Sequence, residues 1–309
     1  MPIRVEETEP IAPVSVEKSG VKEHNDGRLY TASQEYALPA DEEESDRLNS
    51  QHKAIVMTFN GHIPEPIKTI LLEKEKPRIL DVGCGTGNWS VEVADQLPKA
   101  LVTGVDLVSI HPKEYPSNVD LKRLDILEDL PEGWEGSFDL IHARYLVFGI
   151  NNFNTLIPRL QKLLKPNGYL MMLEPEVCFR AEGYDSKTSK AVRFAEVISE
   201  ASDKLGRNPV PGKVVSEYLQ SSNDFDQVET VVGEIPLSPW ADDERLKEIG
   251  IAHQPTALNY GSALKRLVMK AGIHSEQEYE EVCNALEEAV LEGNMKLIIP
   301  SWMITARKI

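Results

Sequence analysis

The run Ile79-Leu80-Asp81-Val82-Gly83-Cys84-Gly85-Thr86-Gly87-Asn88-Trp89 constrains this chain more than any other. Apolar residues of strand character lead into three alternating glycines and then into a helical pattern. Glycines at that spacing let the backbone turn where a Cβ would clash, and let it approach a ligand closely. A helix starting there aims its first N–H groups at whatever lies in the turn. A nucleotide-phosphate loop requires Gly-Lys-Ser/Thr, which is absent. A dinucleotide fingerprint, G-x-G-x-x-G, requires glycine where Asn88 stands. The third reading, G-x-G-x-G after an acidic strand residue, fits, and a purely structural turn is the alternative to it.

The surrounding pattern sets the fold class. Short apolar runs at Arg78–Val82, Leu101–Val105, Val119–Leu124, Phe138–Ile141 and Tyr169–Leu173 predict strands, with helical spacing between them. Val228–Val232 and Trp302–Ala306 predict two more, for a doubly wound, mostly parallel seven-stranded α/β sheet. Ahead of it, Asp41 to Asn60 predicts an entry helix: Asp41 caps, Glu42 to Glu44 suit the positive end of the dipole, and Gly61 follows. Leu48, His52, Ile55 and Phe59 recur at helical spacing on one buried stripe. Behind the fifth strand, Lys187–Leu205, Val214–Gln220, Arg245–Ala271 and Glu276–Leu291 predict helices that cover the ligand crevice. The expected organisation is a disordered tail over 1–28 and a cap segment with the entry helix over 29–77. The main domain then fills 78–309, with helical insertions at about 175–225 and 240–295.

Ligands of open parallel sheets bind beyond the carboxyl ends of the strands, so those positions carry the chemistry. Asp106 ends the second strand, nineteen residues beyond Gly87, where a carboxylate can accept from both hydroxyls of a ribose. Asp125-Ile126 follows the third strand, where a carboxylate can accept from an adenine amino group. His142-Ala143-Arg144 follows the fourth, at the crevice floor. Each acid alone also reads as a cap or a surface residue. Their succession at strand ends after a glycine-rich turn is what points to one nucleoside-bearing ligand.

Composition excludes other classes. Lys and Arg total 33 against 50 Asp and Glu, a net charge of −17 that repels phosphate backbones and anionic lipid. Neither a nucleic-acid nor a membrane partner is expected, and no apolar run approaches the roughly 18 residues of a membrane span. The first twenty residues lack the apolar segment of a signal peptide. Cys84, Cys178 and Cys283 form neither a metal spacing nor a disulfide framework, which predicts a cytoplasmic protein without a metal.

DVGCGTG from Asp81, GVDL from Gly104, RLDI from Arg123, FDLIHAR from Phe138 and LLKPNGYL from Leu163 resemble the successive motifs of class I S-adenosylmethionine-dependent methyltransferases. The match covers about residues 78–174. The segment from Tyr36 to Glu44, then Asp46-Arg47-Leu48 and Gln51-His52, resembles the entry segment of LaeA-like fungal methyltransferases, as does the closing Ile299 to Lys308. Cys84, in place of a commoner small residue, and Asn167, where a second glycine is usual, are minor departures.

The resemblance implies a Rossmann-like methyltransferase fold, S-adenosyl-L-methionine as cofactor, and methyl transfer to O, N or S of a small-molecule natural product of secondary metabolism. A regulator working through protein partners and a non-methylating enzyme of the same fold are the alternatives. A monomer or homodimer is expected. Implied cofactor contacts are Tyr36, Asp81, Gly83, Cys84, Gly85, Asp106, Leu107, Asp125, Ile126, His142, Ala143 and Arg144. His52 is the candidate base, with a hydrogen-bonded core histidine as its alternative. Glu174, Trp240, His253 and Tyr260 are candidate acceptor contacts, together with the aromatics Phe179 and Phe194.

Overall fold

The computed structural model describes residues 21–23, 27–31, 38–108, 110–111 and 114–309. Seven strands form one sheet: β3 (Arg78–Val82), β4 (Leu101–Asp106), β5 (Val119–Arg123), β6 (Phe138–Arg144), β7 (Leu164–Pro175), β8 (Phe225–Pro236) and β9 (Ile298–Lys308), in the order β5-β4-β3-β6-β7-β9-β8. All neighbours pair in parallel except β9, which runs antiparallel to both β7 and β8. The order reverses at β3, which has β4 on one side and β6 on the other. A crevice opens at such a switch point, outside the carboxyl ends of the strands.

Helices on both faces explain why the central strands read as continuous apolar runs. On one face, Ile67 and Leu71 of α2 (Glu65–Glu73) and Trp89 and Val93 of α3 (Asn88–Gln96) pack on Ile79, Leu140 and Met171. On the other, Leu156, Ile157 and Leu160 of α4 (Phe153–Leu163) and Val215 and Leu219 of α6 (Pro211–Ser221) pack on Leu80, Ile141 and Ala143. A separate apolar cluster belongs to the cover. There Phe194 and Ile198 of α5 (Lys190–Lys204) meet Leu264 and Leu267 of α8 (Tyr260–Ala271) and Tyr279 and Leu286 of α9 (Glu276–Glu292).

The entry helix α1 (Glu42–Thr58) begins as expected, with Asp41 accepting from the Glu44 N–H at 3.0 Å. The same carboxylate receives the Arg28 guanidinium at 2.7 and 2.8 Å. It thereby ties α1 to a hairpin of β1 (Val21–Glu23) and β2 (Leu29–Thr31). Of the tail expected over 1–28, residues 1–20 and 24–26 lie outside the described residues; within the rest, Val21–Glu23 are a paired strand and Arg28 is buried in ion pairs.

Two boundaries also differ from expectation. The predicted helix Arg245–Ala271 is two, α7 (Glu244–Leu258) and α8, which meet at Asn259. The Asn259 side chain donates to Pro255 O at 3.0 Å, the local backbone competition that makes asparagine favour helix ends. β6, β7, β8 and β9 all extend beyond the apolar runs that announced them, because ladder pairing holds polar residues such as Arg144, opposite Leu173, and Glu229, opposite Thr305. Among the described residues, no helix is long and apolar enough to cross a membrane.

Candidate active site

β3 brings the glycine loop to the switch point. Gly83, Gly85 and Gly87 adopt left-handed φ angles of 69°, 54° and 77°. A Cβ on Gly83 would stand 2.3 Å from Leu146 Cδ2, so no side chain fits there. The N–H groups of Gly83 and Cys84 donate to Val105 O at 2.8 and 3.0 Å, folding the loop over the end of β4.

That fold sets the loop against Asp106. Its Oδ2 accepts from the Gly85 N–H at 2.8 Å and its Oδ1 from the Val108 N–H at 3.1 Å. Burial pushes the Asp106 carboxyl above the usual carboxylate range, against the pull of these N–H donors. Asp125 is aimed in the same way, its Oδ1 accepting from the Leu127 N–H at 2.8 Å.

Behind the loop lies a buried polar bolt. Asp81 Oδ1 pairs with His142 Nδ1 at 2.8 Å, and Ser90 Oγ donates to Asp81 Oδ2 at 2.6 Å. Trp89 stacks on the His142 ring with centroids 3.7 Å apart. Burial pushes the His142 pKa down, so the neutral ring donates Nδ1–H to Asp81. Together these contacts join β3, β6 and the first turns of α3.

A second histidine has its tautomer fixed by its neighbours. Arg144 Nη2 donates to His52 Nδ1 at 3.0 Å, because a guanidinium has no lone pair to offer. Burial takes the His52 pKa down to about 4, so its single proton sits on Nε2 and is donated to Glu92 at 3.0 Å. His62 Nε2 reaches the same Glu92 oxygen. These three donor atoms lie within 4.8 Å of one another, a spacing that a metal ion could use. Both nitrogens of His52 are already committed, and a metal on Nε2 would turn Nδ1–H against the Arg144 N–H. The group suits a clamp between α1 and α3.

One cavity of about 220 Å³ collects the strand ends. Its polar end is lined by Gly83, Cys84, Gly85, Asp106, Leu107, Asp125, Ile126 and Arg144. Its apolar arm runs under the cover, past Tyr145, Phe148, Val177, Phe179, Phe194 and Tyr260. Arg47, Leu48 and Gln51 of α1 also face it. Arg47 is held by Glu44 through two bonds of 2.8 and 2.7 Å.

A methyltransferase-domain family model matches residues 56–209. The protein "Secondary metabolism regulator LAE1" of Cochliobolus heterostrophus is 31% identical over 248 residues, covering 77% of this chain and 78% of that one. The chain belongs to the LaeA-like class I S-adenosylmethionine-dependent methyltransferases. "Methyltransferase str3" of Strobilurus tenacellus is 30% identical, covering 66% of this chain and 71% of that protein. "Methyltransferase pytC" of Aspergillus terreus is also 30% identical, over 74% of this chain and 69% of its own length.

Within this LaeA-like methyltransferase, eight of the twelve implied cofactor contacts line the cavity's polar end, as named above. Asp81, His142 and Ala143 do not line it. Asp81 and His142 spend their polar atoms on each other behind the loop, and Ala143 packs on the opposite face among Leu80 and Ile141. Tyr36 lies outside the described residues.

The expected base and three acceptor contacts need correction. His52 stands behind Arg144 with both nitrogens engaged. Glu174 is buried beneath the β6–α4 loop, accepting the N–H groups of Leu146 and Val147 at 2.9 and 3.1 Å, and burial raises its pKa to about 8. Trp240 donates to Leu297 O at 3.1 Å, away from the cavity. His253 sits one residue behind the lining, bonded to Tyr260. Of the four, Tyr260 alone lines the arm.

Sequence reasoning missed Arg47, Gln51 and Tyr145. Arg47 and Gln51 are one turn apart on α1 and adjoin the apolar stripe, a signal that periodicity carries. Tyr145 directly follows the strand-end triplet and is a non-glycine residue at φ 56°. Its hydroxyl pairs with Ser301 Oγ at 2.7 Å across the sheet.

Proposed function

We propose that this chain transfers a methyl group from S-adenosylmethionine to O, N or S of a small, largely apolar natural product of secondary metabolism. One observation carries the reading: the strand-end carboxylates and an aromatic-lined arm open into a single cavity. When bound, the cofactor supplies an electrophilic methyl on a sulfonium. The residues present fit that group. Asp106 keeps acceptor lone pairs for a ribose diol, and Asp125 keeps them for an adenine amino group. Among the described residues, the Arg144 guanidinium is bonded to neutral His52 and to no carboxylate, which suits the cofactor's own carboxylate. Gly83 and Gly85 keep the loop free of side chains where the ligand's backbone-facing edge would lie.

The protein's contribution is positional. The arm holds the acceptor in line with the methyl group in a water-poor space, and such alignment can supply up to about 7–11 kcal/mol of barrier lowering. Cys178 adds no nucleophile: burial and its bond to Glu176 push the thiol up to about 11. The test is incubation of the purified chain with isotope-labelled methyl donor and metabolite extracts, read by mass spectrometry. Label in small molecules supports the proposal, and label confined to protein overturns its substrate class. The name of the relative from Cochliobolus heterostrophus, a secondary metabolism regulator, favours a second reading in which this chain acts through protein partners.

A further inference from the structure

We propose that Tyr260 presents an acceptor-only oxygen to the apolar arm, so that the methyl acceptor carries an O–H or N–H group there and is not an ionised carboxylate. This rests on the small-molecule reading above and narrows it. The polarity follows from a chain of three bonds. Pro236 O is a carbonyl and can only accept, so His253, 3.0 Å away through Nδ1, must donate Nδ1–H to it. The His253 ring is fully buried and burial takes its pKa down to about 4, so the ring is neutral and Nε2 bears a lone pair. The Tyr260 hydroxyl, 3.1 Å from that nitrogen, therefore donates to it. A phenol has one proton. With it committed to His253, the Tyr260 oxygen offers only lone pairs to a neighbour.

The walls around that oxygen sharpen the choice. Tyr260 adjoins Phe179, with ring centroids 6.3 Å apart, and Phe179 stacks on Phe194 at 5.9 Å and an interplanar angle of 11°. A flat aromatic wall of this kind takes planar rings. A carboxylate there would face lone pairs in an apolar arm and lose its water without replacement. Arg47, which lines the cavity from α1, is held in an ion pair with Glu44 at 2.7 Å. Tyr260 is a specificity-determining residue in this scheme and does not serve as a base. Passing its proton on would create a buried imidazolium at His253, which the same burial opposes.

The test uses the full chain saturated with S-adenosylhomocysteine and two planar probes at pH 7, 2-naphthol and 2-naphthoate, in titration calorimetry. 2-Naphthol is expected to bind at least about tenfold more tightly. Tyr260→Phe, which keeps the ring, should weaken 2-naphthol by about that factor and leave 2-naphthoate unmoved. His253→Leu frees the Tyr260 proton and should tighten 2-naphthoate, closing the gap from the other side. Tyr260→Phe decides the matter by itself if the His253 variant does not fold. Equal affinity for the two probes, no binding of 2-naphthol, or an unchanged ratio in Tyr260→Phe overturns the inference. Failure of the wild-type chain to bind S-adenosylhomocysteine would break the functional reading instead, and that is measured first in the same cell.

Discussion

The two ends of the cavity are built in opposite ways. The polar end is made by consecutive strand ends, and its two carboxylates, Asp106 and Asp125, are aimed by a backbone N–H two residues onward or in the neighbouring loop. The apolar arm is assembled from α5, α8, the residues after β6 and after β7, and Ile299 of β9, segments mostly distant in sequence and held by side-chain packing. Local hydrogen bonds fix the end that the proposed function gives to the cofactor. Long-range packing fixes a site that can change its contents without disturbing the other end. On the function proposed above, the difference teaches that cofactor and acceptor recognition are separable.

That separation can be broken by experiment. The largest effect is expected for Phe194→Ala, a buried side chain in the cover cluster, which should cost about 3–5 kcal/mol of stability in chemical denaturation. Affinity for S-adenosylhomocysteine per folded molecule should barely change, and a parallel loss would make the two ends one cooperative unit. Next is Asp106→Ala, expected to weaken S-adenosylhomocysteine by about ten- to a hundredfold in calorimetry while the melting temperature moves little. Unchanged affinity would remove Asp106 from the cofactor site.

A smaller effect comes from the buried histidines. Burial holds His52 and His253 at about 4 in the folded chain against 6.5 when free. Unfolding therefore takes up protons between these values: the stability each contributes is complete above pH 6.5 and drains away as pH falls through about 4. His52→Gln should flatten part of that decline in thermal melts, and an unaltered acid limb would mean the ring is already charged when folded. The smallest effect is expected at the half-buried β8–β9 ion pair of Arg307 and Asp226, where Arg307→Ala should move the melting temperature least of these variants.

The same contrast governs what could be read from the letters alone. The sheet, the glycine loop and the strand-end acids are local in sequence, so periodicity and spacing expose them; Gly83, Asp106 and Asp125 all line the cavity. His142 was misplaced because alternation along a strand buried on both faces sends adjacent residues to opposite sides, and nothing in a continuous apolar run marks which side holds the crevice. Glu174 sits at a strand end like Asp106, yet its carboxylate turns to the Leu146 and Val147 amides, a partner choice that depends on a distant loop. His253 and Tyr260 are seven residues apart on two helices that meet at Asn259, and their side chains bond to each other there. Spacing of that kind marks a shared helix face, while the partners that fix each proton, such as Pro236 O, are set by three-dimensional closure.

The strand that separates β7 from β8 is also the last of the sheet to leave the ribosome. Until β9 emerges, β7 keeps an open edge and β8 has no neighbour in the sheet. The sheet therefore closes only after β9 has emerged, and the interval before that is when a chaperone would matter most.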